Sequence, residues 1–321
     1  MKMILFSLLA LTLVAVALFS VSASAAHSPP PGQALDPIVS TDWLEGNLGA
    51  EDLVIVDVRT PDKYAAGHIP GAINSHEANW YLFPPDSVFS MQLPAVEDLF
   101  TTIGNTGITA DSLVVIVHAA SGPIPLVFYG LAVANRVADT LIYAGVKNVA
   151  ILNGGYDKWV AEGRALDTVL VTPTPVTYTA KVDKEMFVSK DYVTRKMRRA
   201  IILDGRDPEY YFGVDKEPFY ARPGHIPGAT SLPVPYFWTL EGTYYVYRDT
   251  AVLKEMASGA VGGHSLFPRE IIVYCGVGGY ASTLWFVLSE VAGYRNVKIF
   301  DGAAEEWTAD PMAPVVLYKW E

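Results

Sequence analysis

The same order of segments occurs twice in this chain, about 150 residues apart, so the fold must be one that half of the sequence can build. Ser40-Thr41-Asp42-Trp43-Leu44 is matched by Ser189-Lys190-Asp191-Tyr192-Val193, each a capping serine ahead of a short helical pattern. Leu53 to Arg59 is matched by Ala200 to Arg206, both ending in Asp-x-Arg. Gly67-His68-Ile69-Pro70-Gly71-Ala72 returns as Gly224-His225-Ile226-Pro227-Gly228-Ala229. Leu113 to His118 and Glu270 to Cys275 are corresponding apolar runs, with Ala119 falling opposite Cys275. Asn153-Gly154-Gly155 with Trp159 pairs with Asp301-Gly302-Ala303 with Trp307.

Within each copy, short β-branched runs alternate with helical stretches. Continuous apolar runs such as Val54 to Val56 and Ile271 to Tyr274 suit strands buried on both faces. The pattern predicts an α/β fold: two tandem domains, each a mostly parallel sheet flanked by helices on both faces. Residues 36–165 form the first expected domain, 166–180 a proline- and threonine-rich linker, and 181–321 the second domain. Residues 1–26 read as a signal peptide: Lys2, an apolar run from Ile4 to Val21, then Ala23-Ser24-Ala25 as a cleavage signal. This predicts an exported protein, periplasmic or secreted, with no stable membrane insertion after cleavage. The alternative is an anchor formed by an uncleaved N-terminal segment.

The net charge of -11 argues against nucleic acid as a partner, since phosphates would be repelled. A single cysteine cannot form an internal disulfide, which is unusual for an exported chain. Cys275 is therefore either a buried bystander or a thiol kept for its chemistry.

A strand ending in Asp-x-Arg, then Gly-His-Ile-Pro-Gly-Ala, a strand running into cysteine, and Asp-Gly-x with Trp together resemble the rhodanese domain. The tandem arrangement, with cysteine only in the second copy, is similar to the thiosulfate and mercaptopyruvate sulfurtransferases. The resemblance implies that Cys275 is the catalytic residue and carries sulfur as a persulfide. It also implies that Arg206 reaches towards a donor anion. The loop Cys275-Gly276-Val277-Gly278-Gly279-Tyr280 departs from both patterns. Thiosulfate-type loops tend to read Cys-Arg-Lys-Gly-Val-Thr, and the cations are missing here. Mercaptopyruvate-type loops tend to read Cys-Gly-Ser-Gly-Val-Thr, and Val277 stands in place of that serine.

The loop still suits sulfur chemistry on physical grounds. Cys275 sits between a strand end and a helix expected to begin near Ala281 and to stop at Gly293. Partial positive charge and undirected N–H groups there are expected to lower the thiol pKa. The glycines at 276, 278 and 279 allow the dihedrals that aim N–H groups inward as an anion nest. Gly276, Val277, Gly278, Gly279 and Tyr280 are accordingly the expected binding residues beside Arg206.

Other residues receive blander readings. Arg59 is read as structural and Arg222 as solvated, while His68 and His225 supply a hydrogen bond common to both copies. Trp80, Tyr81, Tyr236, Phe237 and Trp238 are read mainly as interdomain packing. No grouping of His, Cys and acidic residues has metal-ligand spacing, so neither a metal nor a cofactor is expected.

The leading functional reading is a sulfurtransferase moving sulfane sulfur from thiosulfate or 3-mercaptopyruvate to cyanide or a thiol through Cys275. The alternative is a non-catalytic carrier or binding module that delivers persulfide sulfur to a protein acceptor. A phosphatase or arsenate-reductase reading is rejected, because that chemistry wants a longer loop closed by an arginine.

Overall fold

The computed structural model describes residues 34–120, 126–263 and 269–321. The expected signal peptide, residues 1–26, lies outside the described residues.

In the first domain, Ser40 accepts a hydrogen bond from the Trp43 amide at 3.0 Å and so starts α1 (Thr41–Asn47) where β1 (Ile38–Val39) ends. The remaining elements are β2 (Leu53–Asp57), α2 (Pro61–Ala66), β3 (Ile73–Asn74), α3 (Val96–Asn105), β4 (Leu113–Val117), α4 (Leu126–Tyr143), β5 (Asn148–Leu152) and α5 (Gly155–Ala161). The sheet order is β1-β5-β4-β2-β3 and every pairing is parallel.

The second domain repeats this plan. Its elements are β6 (Phe187–Val188), α6 (Lys190–Lys196), β7 (Ile201–Asp204), α7 (Pro208–Phe212), β8 (Ala229–Ser231), β9 (Trp238–Glu241), β10 (Tyr244–Tyr247), α8 (Thr250–Val261), β11 (Ile271–Tyr274), α9 (Gly279–Phe286), β12 (Val297–Phe300) and α10 (Ala303–Ala309). Its parallel sheet runs β6-β12-β11-β7-β8, the same order as in the first. Among the described residues the antiparallel hairpin β9–β10 occurs in the second copy, whereas the matching stretch of the first has a single antiparallel bridge, Leu82 with Gln92. Among the described residues no helix is long and apolar enough to cross a membrane.

Strand alternation sends side chains to two different cores. Val56, Val114 and Ile116 of the first sheet share one apolar cluster with Leu203, Ile271 and Val273 of the second. Ile55, Val115 and Val117 face a separate outer core, as do Ile202, Ile272 and Tyr274 in the other domain. The central core runs between the domains through α4 and α9, which pack against each other. This explains the continuous apolar strands: both faces of each sheet are covered.

Strand register corrects one correspondence. Asp57 pairs with Val117, and Asp204 pairs with Tyr274, so the first-domain counterpart of Cys275 is His118 rather than Ala119. The neighbouring backbone agrees. The His118 carbonyl accepts from Tyr156 at 2.7 Å, as the Cys275 carbonyl accepts from Ala304 at 2.9 Å. The two apolar runs look alike one residue out of step, and only the ladder fixes which residue closes the strand.

Candidate active site

Cys275 follows β11 and is 2% exposed. The chain then turns through Gly276-Val277-Gly278 into α9, which begins at Gly279, two residues earlier than expected. Gly278 has φ +129°, a region open to glycine, and its carbonyl accepts from Ser282 at 2.9 Å to start the helix. Beyond Phe286 the helix widens into a π-helical turn over Val287–Val291, and Gly293 follows with φ +75°.

The Gly278 amide donates to Sγ at 3.1 Å, and the Val277 and Ala281 amides also favour a thiolate. Burial nevertheless pushes the thiol pKa up, and the buried Asp204 adds to the rise. The expected lowering of the pKa is therefore reversed. The nest exists, but desolvation of the sulfur outweighs it, and the charge of nearby Arg206 is already met by Asp204.

The pocket against Cys275 is narrow, with about 10 Å³ of space, room for one water-sized body. Arg206, Gly276, Val277 and Tyr280 line it, together with Tyr129, Asp207, Tyr210 and Glu217. Gly279 lies away from the pocket, against Ala132 and Met91 of the first domain.

Arg206 is 2% exposed and held rigidly. Its Nε donates to Asp204 at 2.9 Å, and its Nη2 donates to Asp204 at 2.5 Å and to the Gly224 carbonyl at 2.8 Å. Nη1 is buried without a well-formed hydrogen bond, beside a Tyr220 hydroxyl in the same condition. The guanidinium thus lines the pocket with its charge already met by Asp204, and Nη1 itself is buried beside Tyr220. Arg59 makes the same clamp with Asp57 and the Gly67 carbonyl in the first domain, against the Tyr156 ring.

The other readings resolve as follows. Arg222 is neither in the pocket nor solvated. Its guanidinium donates to the carbonyls of Thr308, Asp310 and Ala313, tying the C-terminal segment down. His68 and His225 stack on Tyr64 and Tyr211 and bond their carbonyls through Nδ1 at 3.0 and 2.7 Å. Trp80, Tyr81, Phe237 and Trp238 are buried packing, and Tyr236 is exposed.

Four pocket residues were not legible as such. Tyr129 comes from α4 of the first domain, stacks on Tyr280 with ring centroids 5.1 Å apart, and donates its hydroxyl to Glu217. Burial raises the pKa of Glu217, and it raises that of Asp207 to about 6 with help from neighbouring Glu209. Tyr210 completes the wall. Glu217 comes from the segment between the Asp-x-Arg and Gly-His-Ile-Pro elements, where one carboxylate among several carries no spacing signal.

The family profile for the rhodanese-like domain matches residues 40–162 and 189–310. A Mycolicibacterium smegmatis protein provisionally named thiosulfate sulfurtransferase is 30% identical over 290 residues, spanning 88% of this chain and 98% of its own length. The sulfur carrier protein TtuD of Thermus thermophilus is 29% identical over 283 residues, spanning 84% and 93%. Among solved structures, EanB in complex with ergothioneine is similar in fold. Its TM-score is 0.74 at 23% identity, covering 89% of this chain and 71% of that one.

Proposed function

We propose, from the premise that this chain belongs to the rhodanese family, that it is a sulfurtransferase working through a persulfide on Cys275. Transfer of sulfur in general is what the names of its relatives support. The observation that carries the reading is a buried thiol at a strand end, its sulfur met by the Gly278 amide, beside a pocket that admits little more than one atom. The Cys275 thiolate attacks the outer sulfur of a donor such as thiosulfate or 3-mercaptopyruvate. A new S–S bond forms, and the donor remnant leaves with the bonding pair, as sulfite in the first case. Cyanide or a thiolate then attacks the terminal sulfur and returns Cys275 to thiolate.

Arg206, Gly276, Val277, Gly278 and Tyr280 are the residues proposed to bind or shape the loaded sulfur, while Gly279 starts the helix behind the loop. The loop amides hold the persulfide anion. In this reading residues 181–321 carry the chemistry and residues 36–165 support it, with 166–180 as the join. Residues 1–26 direct export to a periplasmic or secreted location.

A second reading has a specific support. A relative named a sulfur carrier protein matches along most of both chains, and so narrow a pocket suits handing sulfur to a protein cysteine. One experiment separates the two. Intact mass is measured after incubation with thiosulfate or mercaptopyruvate, then after cyanide, with Cys275→Ala beside the wild type. One added sulfur on the wild type alone, removed by cyanide, is the expected result. No added sulfur from either donor, on a thiol that still alkylates, sinks the small-donor enzyme and leaves the carrier.

A further inference from the structure

The charge around Cys275 slows a dianionic donor relative to a cationic one. Two carboxylates, Asp207 and Glu217, line the pocket, and its one cation, Arg206, is already neutralised by the buried Asp204. Lys216 turns away to the Tyr220 carbonyl, and Glu209 adds a further negative charge behind Asp207. Glu305 is occupied by Ser90, and Asp301 by Arg136. The remaining wall is built by Tyr129, Tyr210 and Tyr280, none of which brings a positive charge.

Glu217 is the best placed of these groups. Tyr129 of the other domain binds one of its oxygens. The second oxygen, Oε2, lies over the active loop, and a Cβ built on Gly276 would meet it at 3.0 Å and the Phe219 ring at 3.0 Å. Glycine at 276 is what lets the carboxylate come so near. The arginine found there in thiosulfate-type loops would have to displace both groups.

We propose that Glu217, braced by Tyr129 across the domain boundary, tunes specificity at Cys275: relative to anionic donors such as thiosulfate, it favours a sulfur compound carrying an ammonium or similar cationic group next to its reacting sulfur. The proposal rests on Cys275 being the reacting group, as in the preceding section. It assigns Glu217 a role in selection and none in the bond-making step.

The test uses the full chain at low salt and pH 8 with two methanethiosulfonate reagents, one bearing an ethylammonium group and one an ethylsulfonate group. With either, the Cys275 thiolate attacks the sulfenyl sulfur, a mixed disulfide forms, and methanesulfinate leaves with the bonding pair. The ratio of the two labelling rates is compared with the same ratio for a small free thiol. The wild type is expected to exceed that reference by roughly tenfold, as a focused local field would produce. Glu217→Gln should bring the ratio to within about threefold of the reference. Glu51→Gln, which removes an exposed charge far from the site, should leave it at the wild-type value. A wild-type ratio equal to the reference, or a high ratio that survives Glu217→Gln, overturns the proposal. Silence towards both reagents counts against it as well, since the pocket would then sort by size alone. Labelling needs no persulfide, so failure of the sulfur-transfer reading shows separately, in the mass experiment.

Discussion

Arg136 of the first domain and Asp301 of the second are joined at 2.8 Å, and the same nitrogen reaches the Met91 carbonyl at 2.5 Å. The arginine side chain is wholly buried and the aspartate partly so. Asp301 also accepts the Leu93 amide, so one carboxylate ties two first-domain segments to the end of β12.

Removing the arginine strands that carboxylate. Arg136→Ala is expected to cost about 3–5 kcal/mol and to lower the melting temperature by on the order of 10 °C in calorimetry. A loss below about 1 kcal/mol would mean that the pair contributes little beyond what water would supply.

The pH dependence of Cys275 follows from its burial. The thiol pKa is raised, so the thiolate fraction stays low at neutral pH and climbs only in alkaline solution. Alkylation by iodoacetamide should therefore rise with pH to a midpoint above the ordinary cysteine value of about 8.5. A midpoint below that value would show that the loop amides outweigh desolvation.

Gly278 holds both a strained dihedral and the amide that meets the sulfur. A Cβ there would find Met91 at 3.5 Å, an ordinary contact, so the cost of Gly278→Ala is backbone strain. About 1–3 kcal/mol of stability should be lost in urea titration. Alkylation should also slow, because relaxing the strain swings the N–H away from Sγ. Unchanged stability would show that the loop tolerates the dihedral without glycine.

His118 gives the first domain an acid-sensitive point. It is buried, and burial pushes its pKa down to about 4 despite a hydrogen bond with the Leu152 backbone. Unfolded chains take up this proton near pH 6.5, while the folded chain resists until about pH 4. More protons bind to the unfolded state in that window, so stability falls as pH falls from 6.5 to 4. The full loss is about 3 kcal/mol. His118→Gln should flatten that part of the curve. An unaltered slope would place the acid sensitivity elsewhere.

Much of this molecule was readable from its duplication. Asp57–Arg59 and Asp204–Arg206 recur because each clamps a carbonyl of its own Gly-His-Ile-Pro turn, and such local pairs leave a local trace. The parallel sheets follow from uninterrupted apolar runs. The pocket wall did not show, because Tyr129 and Glu217 meet only when the two copies pack together. Neither residue has a matching counterpart in the repeated sequence motifs. The thiol pKa was misjudged for a related reason. A helix start can be read from glycines, whereas the degree of burial depends on what the other domain places over the loop. Ala119 was matched to Cys275 because similar β-branched runs slide past one another until a ladder fixes their register.

The scarcity of space beside Cys275 is also a matter of residence time. With room for one water-sized body, the outer sulfur of a persulfide would itself occupy the cavity and leave none for a water molecule to linger. Water could then approach that sulfur only through the open side of the pocket, the side an acceptor must also use. If Cys275 carries the proposed persulfide, a slim acceptor would be favoured over a bulky one.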